Sequence, residues 1–300
     1  MQHSGKDIVV DANGLFAKSF FAAQASGHLK YMDRGYLIAL FKSLFYAMRS
    51  EIGVPRRILF CFDGRPKTDK PRKPKPREYE QDLVDFARFV RDAFGDKAYA
   101  HHDDYEADDL VATAVSRCAA KGIPSIVVSG DKDLQQLRNP LTEYYCLNRK
   151  HLLTEKEVCE KWYVHKPVQV AIALALIGDP GDGINGVDGC GPKAVQRLFD
   201  GVPRDASLEE VMDLVISKLS PIQKRDLKTG ELRPSQQDQF LQSLNFTLLN
   251  SDAEGDYEPV EFKPNLEVDM DDGPVRDEFI RGITMLDPEA AEQQVADWDP

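Results

Sequence analysis

Three short apolar runs, each closed by an aspartate and each followed by helical patterning, constrain this 300-residue chain most strongly. They are Asp7-Ile8-Val9-Val10-Asp11, Arg57 to Phe62 ahead of Asp63-Gly64, and Ile123 to Val128 ahead of Ser129-Gly130-Asp131. Runs of this kind separated by amphipathic segments predict a parallel sheet with crossover helices. Helical spacing is clear in Leu15, Phe16, Phe20 and Phe21, in Tyr36 to Arg49, and in Leu83, Phe86, Ala87, Val90 and Phe94. Tyr144 to Leu147 is expected to add a strand. The expected fold class is α/β, with a central, mostly parallel sheet and flanking helices. Ligands of such sheets bind outside the carboxyl ends of the strands, so Asp11, Asp63 and Asp131 would reach one edge. A single strand-end aspartate is equally well explained as a turn former or helix cap. Three at equivalent ends point to a site.

More carboxylates follow the same pattern. Asp103, Asp104, Glu106, Asp108 and Asp109 precede a helical stretch, where acids are ordinarily stabilised by the helix dipole. Five within seven positions nonetheless repel one another unless a cation lies among them or solvent screens them. Gly178-Asp179-Pro180-Gly181-Asp182-Gly183 sets two further aspartates around a turn. An oxygen-only donor set suits Mg²⁺ or Mn²⁺, and no compact His or Cys set competes for a softer metal. Carboxylates gathered at one sheet edge suggest two such ions about 4 Å apart, the arrangement that hydrolyses phosphodiesters. The 12-residue EF-hand loop is absent.

The charge distribution supports a polyanionic partner despite a net charge of −12. Residues 251–300 hold 16 acidic and 3 basic residues, whereas residues 1–250 hold 34 and 35. Residues 65–77 concentrate seven basic residues among four prolines. Proline at that density forbids a regular helix and favours an extended, solvated arm. A linker would look the same; beside a carboxylate cluster, the run is a candidate phosphate contact. Gly189-Cys190-Gly191-Pro192-Lys193 opens a further helix whose first amides could cradle a phosphate. The five cysteines are scattered without a Cys-x-x-Cys pair, which suits a reducing compartment rather than a disulfide scaffold. No run approaches the length of a membrane span, and no signal peptide is visible.

Taken together, these blocks resemble the flap-endonuclease-like 5′-nuclease family, which includes phage 5′–3′ exonucleases and the 5′-nuclease domain of bacterial DNA polymerase I. The matching residues are Val10-Asp11 with Lys18, Phe62-Asp63, Glu106-Ala107-Asp108-Asp109, Ser129 to Leu134, and Leu176 through Ala194. The resemblance spans roughly residues 7–200 and implies a PIN-like 5′-nuclease fold with a helix-hairpin-helix-type DNA-binding region. It implies that Asp11, Asp63, Glu106, Asp108 and Asp109 hold one Mg²⁺ or Mn²⁺. Asp131, Asp133, Asp179 and Asp182 would bracket a second ion. Asp11, Asp63 and Asp108 carry the chemistry on this view, with Lys18 at the scissile region. Arg72, Lys73, Lys75 and Arg77 would touch DNA from the arm, and Gly189, Gly191 and Lys193 from a hairpin that often holds K⁺. Relatives carry an ordered helical arch where this chain has its proline-rich run, with Tyr79 standing near the arch aromatic. Gly183-Ile184-Asn185 also replaces the family's usual Asn-Ile-Pro.

The implied domains are an α/β nuclease core (1–150) carrying the arm 65–77, and a helical region (151–250) with the hairpin at 183–198. An acidic tail (251–300) follows, weakly structured except for packing near Phe279 to Leu286. The implied activity is divalent-metal-dependent 5′–3′ exonuclease and flap endonuclease cleavage of DNA, with RNA in RNA–DNA hybrids as a further substrate. Expected partners are duplex DNA with a nick, 5′ end or 5′ flap, and replication proteins. A free-standing monomer in the cytoplasm of a bacterium or phage-infected host is expected. A metal-dependent ribonuclease of related fold and a catalytically degenerate DNA-binding protein remain the alternatives.

Overall fold

A computed structural model of the chain describes residues 5–26, 35–64, 77–226, 229, 231–265 and 273–286. The apolar runs become β1 (Asp7–Asp11), β2 (Arg57–Phe62) and β4 (Ser125–Ser129), joined by β3 (Tyr99–His101), β5 (Thr142–Cys146) and β6 (His151–Leu153). They lie in the order β3-β2-β1-β4-β5-β6, parallel from β3 to β5, with β6 antiparallel at the edge. The chain leaves β1 to build β2 on one side and later builds β4 on the other. The direction of sheet growth therefore reverses beside β1, which makes the carboxyl end of β1 the switch point where ligands of such sheets bind.

Side-chain parity divides the sheet into two buried faces. Ile8, Val10, Ile58, Phe60, Phe62, Ile126, Val128 and Tyr145 enter one core. Val9, Leu59, Cys61, Val127, Tyr144 and Cys146 enter the other. The first face is covered by α1 (Ala12–Ser26), α2 (Gly35–Ala47) and α3 (Arg77–Phe94). Its centre is aromatic: Phe16 meets Tyr36 at 5.2 Å and Tyr79 at 4.9 Å between ring centroids. Tyr79 is thus a buried core residue, and the aromatic expected near an arch serves packing instead. Of the basic run, Arg72, Lys73 and Lys75 lie outside the described residues, and Arg77 is the first residue of α3.

The second face is covered by α4 (Ala107–Ala120) and by the helical half of the chain, namely α5 (Glu155–Trp162), α6 (Val170–Ile177), α7 (Pro192–Phe199), α8 (Leu208–Lys218) and α9 (Gln236–Thr247). The sequence Val-Ala-Ile-Ala-Leu-Ala-Leu-Ile makes α6 apolar on every side, and it is buried from Val170 to Leu176. Thr154, Ser207 and Ser235 start α5, α8 and α9 by accepting the amide three residues on, each satisfying an otherwise orphaned donor. A small exposed hairpin, β7 (Lys224–Arg225) and β8 (Leu232–Arg233), lies between α8 and α9. Residues 151–250 therefore share a core with the sheet and contribute β6 to it, so the sheet extends past position 150.

The acidic C-terminal region is more ordered than its composition suggests. Arg117 donates to the carbonyls of Gly255 (2.6 Å) and Ala253 (3.0 Å). Strand β9 (Val260–Glu261) pairs antiparallel with the start of β2. Helix α10 (Gly273–Leu286) then buries Val275, Phe279, Ile283 and Leu286 in the first core. The Phe279 ring lies 5.2 Å from both Phe41 and Phe89. The packing expected near Phe279 to Leu286 is found and begins at Val275, because an apolar stripe at helical spacing outweighs the surrounding charge; the weak structure expected before it is corrected over residues 251–265. No helix among the described residues is long and apolar enough to cross a membrane.

Candidate metal centre

Asp11, the last residue of β1, has the same parity as Val9 and so points toward the α4 side of the sheet. It is buried. Ser129 Oγ donates to its Oδ2 at 2.6 Å and the Gly14 amide to its Oδ1 at 2.8 Å. Burial pushes its pKa up to about 7; Ser129 and Gly14 oppose the rise, while Asp131 and Asp63 reinforce it. Asp63 follows β2 and is held on both oxygens. Asn13 Nδ2 donates to Oδ2 at 2.7 Å, and the Ala107 amide at the start of α4 donates to Oδ1 at 2.9 Å. Asn13 also accepts the Asp63 amide at 3.0 Å, which locks the two strand ends together.

Helix α4 brings Asp108 into the same space. Burial holds its carboxyl well above the usual range, and Asp131, Asp11, Asp63 and Asp133 add repulsion. Its neighbour Asp109 faces a different task. That carboxylate accepts the Glu106 amide at 3.3 Å and the Asn250 amide at 3.0 Å, tying the start of α4 to the end of α9. Glu106 is the half-buried residue immediately before α4.

Strand β4 supplies the remaining groups. Ser129 Oγ accepts the Asp131 amide at 2.8 Å, and Asp131 Oδ1 accepts the Asp133 amide at 2.9 Å. This stair of side-chain to backbone bonds aims Asp133 at the loop after α6. That loop is closed by paired Asp179 and Ile184 backbones, at 2.7 and 2.8 Å. Gly178 and Gly186 permit the closure. Both have positive φ, and a Cβ on Gly186 would lie 2.5 Å from the Gly178 nitrogen.

Asp133, Asp179 and Asp182 thereby offer oxygens that lie within 4.8 Å of one another. Burial pushes Asp133 up to about 7, with Asp131, Asp182 and Asp179 adding repulsion and Lys132 opposing it. Burial also works against the Asp179 charge. Its bonds to Lys132, Asp182 and the Gly181 amide outweigh that effect and hold its pKa below the usual carboxylate value. Among the described residues, buried Asp133 Oδ1 has no hydrogen-bond partner. An unpartnered carboxylate oxygen beside two more carboxylates is a donor set for a hard divalent cation. The cleft of about 500 Å³ above it is lined by Asp131, Asp179 and Asp182 and also by Lys132, Arg149 and Lys161.

The other candidates lie apart from this cleft. Lys18, on α1, donates to the Leu147 carbonyl and lines a separate cavity. Gly189, Gly191 and Lys193 are exposed at the turn entering α7, where Gly191 is the cap residue. The sequence assigns no role to three contributors: Asn13, and Ser129 and Lys132, which stand inside the matching block Ser129 to Leu134. Each lies within two positions of a recognised aspartate.

A mixed α/β protein with a cluster of carboxylates beside its sheet switch point is the class these features define. Residues 6–163 match the model of the 5′-3′ exonuclease, N-terminal resolvase-like domain, and the chain belongs to that family. DNA polymerase I of Bacillus subtilis is 29% identical over 271 residues, covering 84% of this chain and 29% of the polymerase. Flap endonuclease Xni of Shewanella sediminis is 35% identical over 126 residues, covering 42% of this chain and 48% of the relative. The chain thus spans less than a third of that polymerase and matches about half of the endonuclease. Among solved structures, a bacteriophage T5 5′-exonuclease with divalent metal ions (zinc) bound shares the fold at a TM-score of 0.54 and 14% identity. That match covers 97% of this chain and 98% of the other. A bacteriophage T5 flap endonuclease in a pseudo-enzyme–product complex with DNA and metal ions gives 0.55 at 14% identity, covering 99% and 97%.

Proposed function

We propose that this chain is a divalent-metal-dependent 5′–3′ exonuclease and flap endonuclease, built on a PIN-like 5′-nuclease fold, that hydrolyses DNA phosphodiesters. The observation carrying this reading is the orphaned, buried Asp133 Oδ1 within the Asp133–Asp179–Asp182 cluster. The donor set is all oxygen, as Mg²⁺ or Mn²⁺ requires. On this reading Asp133, Asp179 and Asp182, with Asp131 beside them, hold one ion. Asp11, Asp63 and Asp108, with Glu106, hold the other. Asp109 is better suited to anchoring α4, since two backbone amides already occupy its carboxylate.

When bound, such ions neutralise charge on the scissile phosphate and make hydroxide available at neutral pH. The protein's own groups do the rest. Ser129 and Gly14 fix the Asp11 oxygens, and Asn13 with the Ala107 amide fixes those of Asp63, so neither carboxylate must reorganise. Lys132, Arg149 and Lys161 line the same cleft and would draw the phosphate backbone toward it. The exposed Gly189–Gly191 turn with Lys193 is proposed as a second backbone contact, with K⁺ at the turn. Arm residues Arg72, Lys73, Lys75 and Arg77 are proposed as a third. Backbone contacts make sequence preference weak and salt sensitivity strong. Nicked, 5′-ended or 5′-flapped duplex is the proposed substrate, extending to RNA–DNA hybrids. A monomer working with replication proteins in a bacterial or phage-infected cytoplasm completes the proposal.

The test is a product-length assay on a 5′-flap duplex, a nicked duplex and a single-stranded RNA, with and without Mg²⁺. Short oligomers and mononucleotides from the two DNA substrates, only with Mg²⁺, are expected. Mononucleotides alone from every DNA would remove the endonuclease half. Cleavage confined to RNA would favour a ribonuclease, and no metal-dependent product would overturn the enzyme assignment.

A further inference from the structure

The turn joining β5 to β6 separates two cavities, one lined by three aspartates and three basic residues and the other by three lysines. Cys146, Asn148 and Arg149 line the acidic cleft. Tyr145, Leu147 and Lys150 line a smaller cavity of about 200 Å³, which Lys18 on α1 and Lys42, Ser43 and Tyr46 on α2 complete. Among the described residues, no carboxylate lines the smaller cavity. None of its three lysines makes an ion pair among the described residues either, although carboxylates elsewhere on this acidic chain pair freely with lysines.

Lys18 and Lys150 are each placed by a contact of their own. Lys18 is half-buried and gives one ammonium hydrogen to the Leu147 carbonyl, which fixes its position and leaves its other donors free for the cavity. Burial, with the Lys150 charge next, lowers the Lys18 pKa. Lys150 adopts φ +57°, the left-handed region that non-glycine residues seldom enter, and its ammonium lies 5.5 Å from the Tyr46 ring centroid. Backbone strain at a binding surface is commonly retained for function. Three lysines lining one cavity, Lys18 half-buried and Lys42 and Lys150 exposed, with no carboxylate in the described lining, favour a multivalent anion. The cavity is below the roughly 300 Å³ of ordinary small-molecule sites, so the bound group is small. A terminal phosphomonoester, at about −1.5 to −2 near neutral pH, matches three ammonium groups better than an internal phosphodiester with its single charge.

We propose that the Lys18–Lys42–Lys150 cavity holds the terminal 5′-phosphate of a nucleic-acid strand whose body continues toward the acidic cleft. The inference rests on the nuclease reading only for the identity of the polymer that carries the phosphate. It is tested without divalent metal, so cleavage plays no part in the outcome. The full chain in EDTA is titrated against two 3′-labelled single strands of one sequence, one with a 5′-phosphate and one with a 5′-hydroxyl, following anisotropy. The phosphorylated strand should bind about tenfold tighter, a difference of about 1.4 kcal/mol. In the double variant Lys42→Ala, Lys150→Ala the two strands should bind alike, at the affinity of the wild type for the hydroxyl strand; that retained affinity also reports folding. The double variant Lys42→Arg, Lys150→Arg should keep a preference. Equal binding of both strands to the wild type would overturn the proposal. So would a double Ala variant that weakens both strands equally, which would mean internal backbone contacts. A thermal shift with inorganic phosphate in the wild type, lost in the double Ala variant and unaccompanied by any end preference, would assign the cavity to free phosphate and overturn the strand end. A protein that cleaves nothing yet prefers the phosphorylated end would sustain this inference while the nuclease reading failed.

Discussion

Replacing Asp133 by asparagine should stabilise the metal-free protein, and the size of the gain follows from the site. Asp133 is 4% exposed and has one unpartnered oxygen. Burial and the surrounding aspartates raise its pKa from an ordinary 3.8 to about 7. Each pKa unit corresponds to about 1.4 kcal/mol of preference for the neutral form. An elevation of roughly three units therefore sets a ceiling of about 4 kcal/mol. Relaxation of a site that opens onto a cleft reduces the realised value to about 2 kcal/mol. The sign is set by proton binding. Between about pH 4 and 7 the folded carboxyl retains a proton that the unfolded one releases, so folded stability falls as pH rises through this window. Below it both states are neutral and no penalty remains; above about pH 7 the loss is complete. The asparagine amide has nearly the same shape and no charge. In EDTA at about pH 8, Asp133→Asn should melt roughly 4–8 °C above wild type, taking about 2–4 °C per kcal/mol for large domains. The difference should shrink toward zero near about pH 4. Adding Mg²⁺ at about pH 8 should stabilise the wild type more than the variant, because only the wild type keeps the full donor set. Calorimetry in EDTA across this pH range, then with Mg²⁺, measures every part. An advantage independent of pH, or equal Mg²⁺ shifts in both proteins, would refute the assignment of Asp133 to a cation site.

Further outcomes follow from other contacts. Asp131→Asn should cut Mg²⁺-dependent cleavage by about 10²–10³-fold, the scale of losing one preorganised electrostatic group; flap binding in EDTA should be kept or tightened, and unaltered turnover would contradict the site. Phe279→Ala should cost about 3–5 kcal/mol by urea unfolding, because a fully buried ring is removed from the joint of α2, α3 and α10. A cost below about 1 kcal/mol would mean that α10 is not integral to the core. Asp7→Asn should destabilise by about 3 kcal/mol, since Asp7 is fully buried against Arg57 at 2.5 Å and Arg56 at 3.1 Å. Raising the salt concentration in the urea titration should recover little of that loss, because the pair is shielded from solvent on the Asp7 side.

The strands were legible because their apolar runs are continuous and their parity is strict. Knowing that Ile8 and Val10 face one way fixes Val9 and Asp11 the other way, and with them the side on which the site is built. The clustering of carboxylates was legible because aspartates stand at strand ends and around a glycine turn. What holds them was not legible. Asn13 reaches Asp63 across 50 positions and Ser129 reaches Asp11 across 118, and a linear pattern carries no record of such bonds. Proximity in sequence also misdirected. Asp108 and Asp109 are neighbours, yet the helical turn of about 100° between them sends one toward Asp131, Asp11 and Asp63 and the other to the Asn250 amide. Lys18 lies only two helical turns beyond Asp11, and helix α1 carries it to the opposite core face and a different cavity. In the C-terminal region the packing near Phe279 to Leu286 was legible, whereas the density of charge concealed the order of residues 251–265, which rests on Arg117 and on pairing with β2.

A chain of net charge −12 can take a polyanion only if its acids are either neutralised or kept from the approach path, and both devices are present. At the C-terminus, Glu258 is paired with Lys121 and Glu278 with Arg281, and α10 packs on the first core face, whereas the cleft opens on the second. Among the site aspartates, burial raises Asp11 and Asp133 to about 7 and holds Asp108 well above the usual range, so the metal-free site is less negative near neutral pH than a count of carboxylates implies. Cation binding must displace those protons, and it would leave Lys132, Arg149 and Lys161 facing a neutralised floor. Metal affinity and nucleic-acid affinity should therefore rise together between about pH 6 and 8. On the proposed reading, the repulsion among these carboxylates would be relieved by the same ions that admit the phosphate backbone.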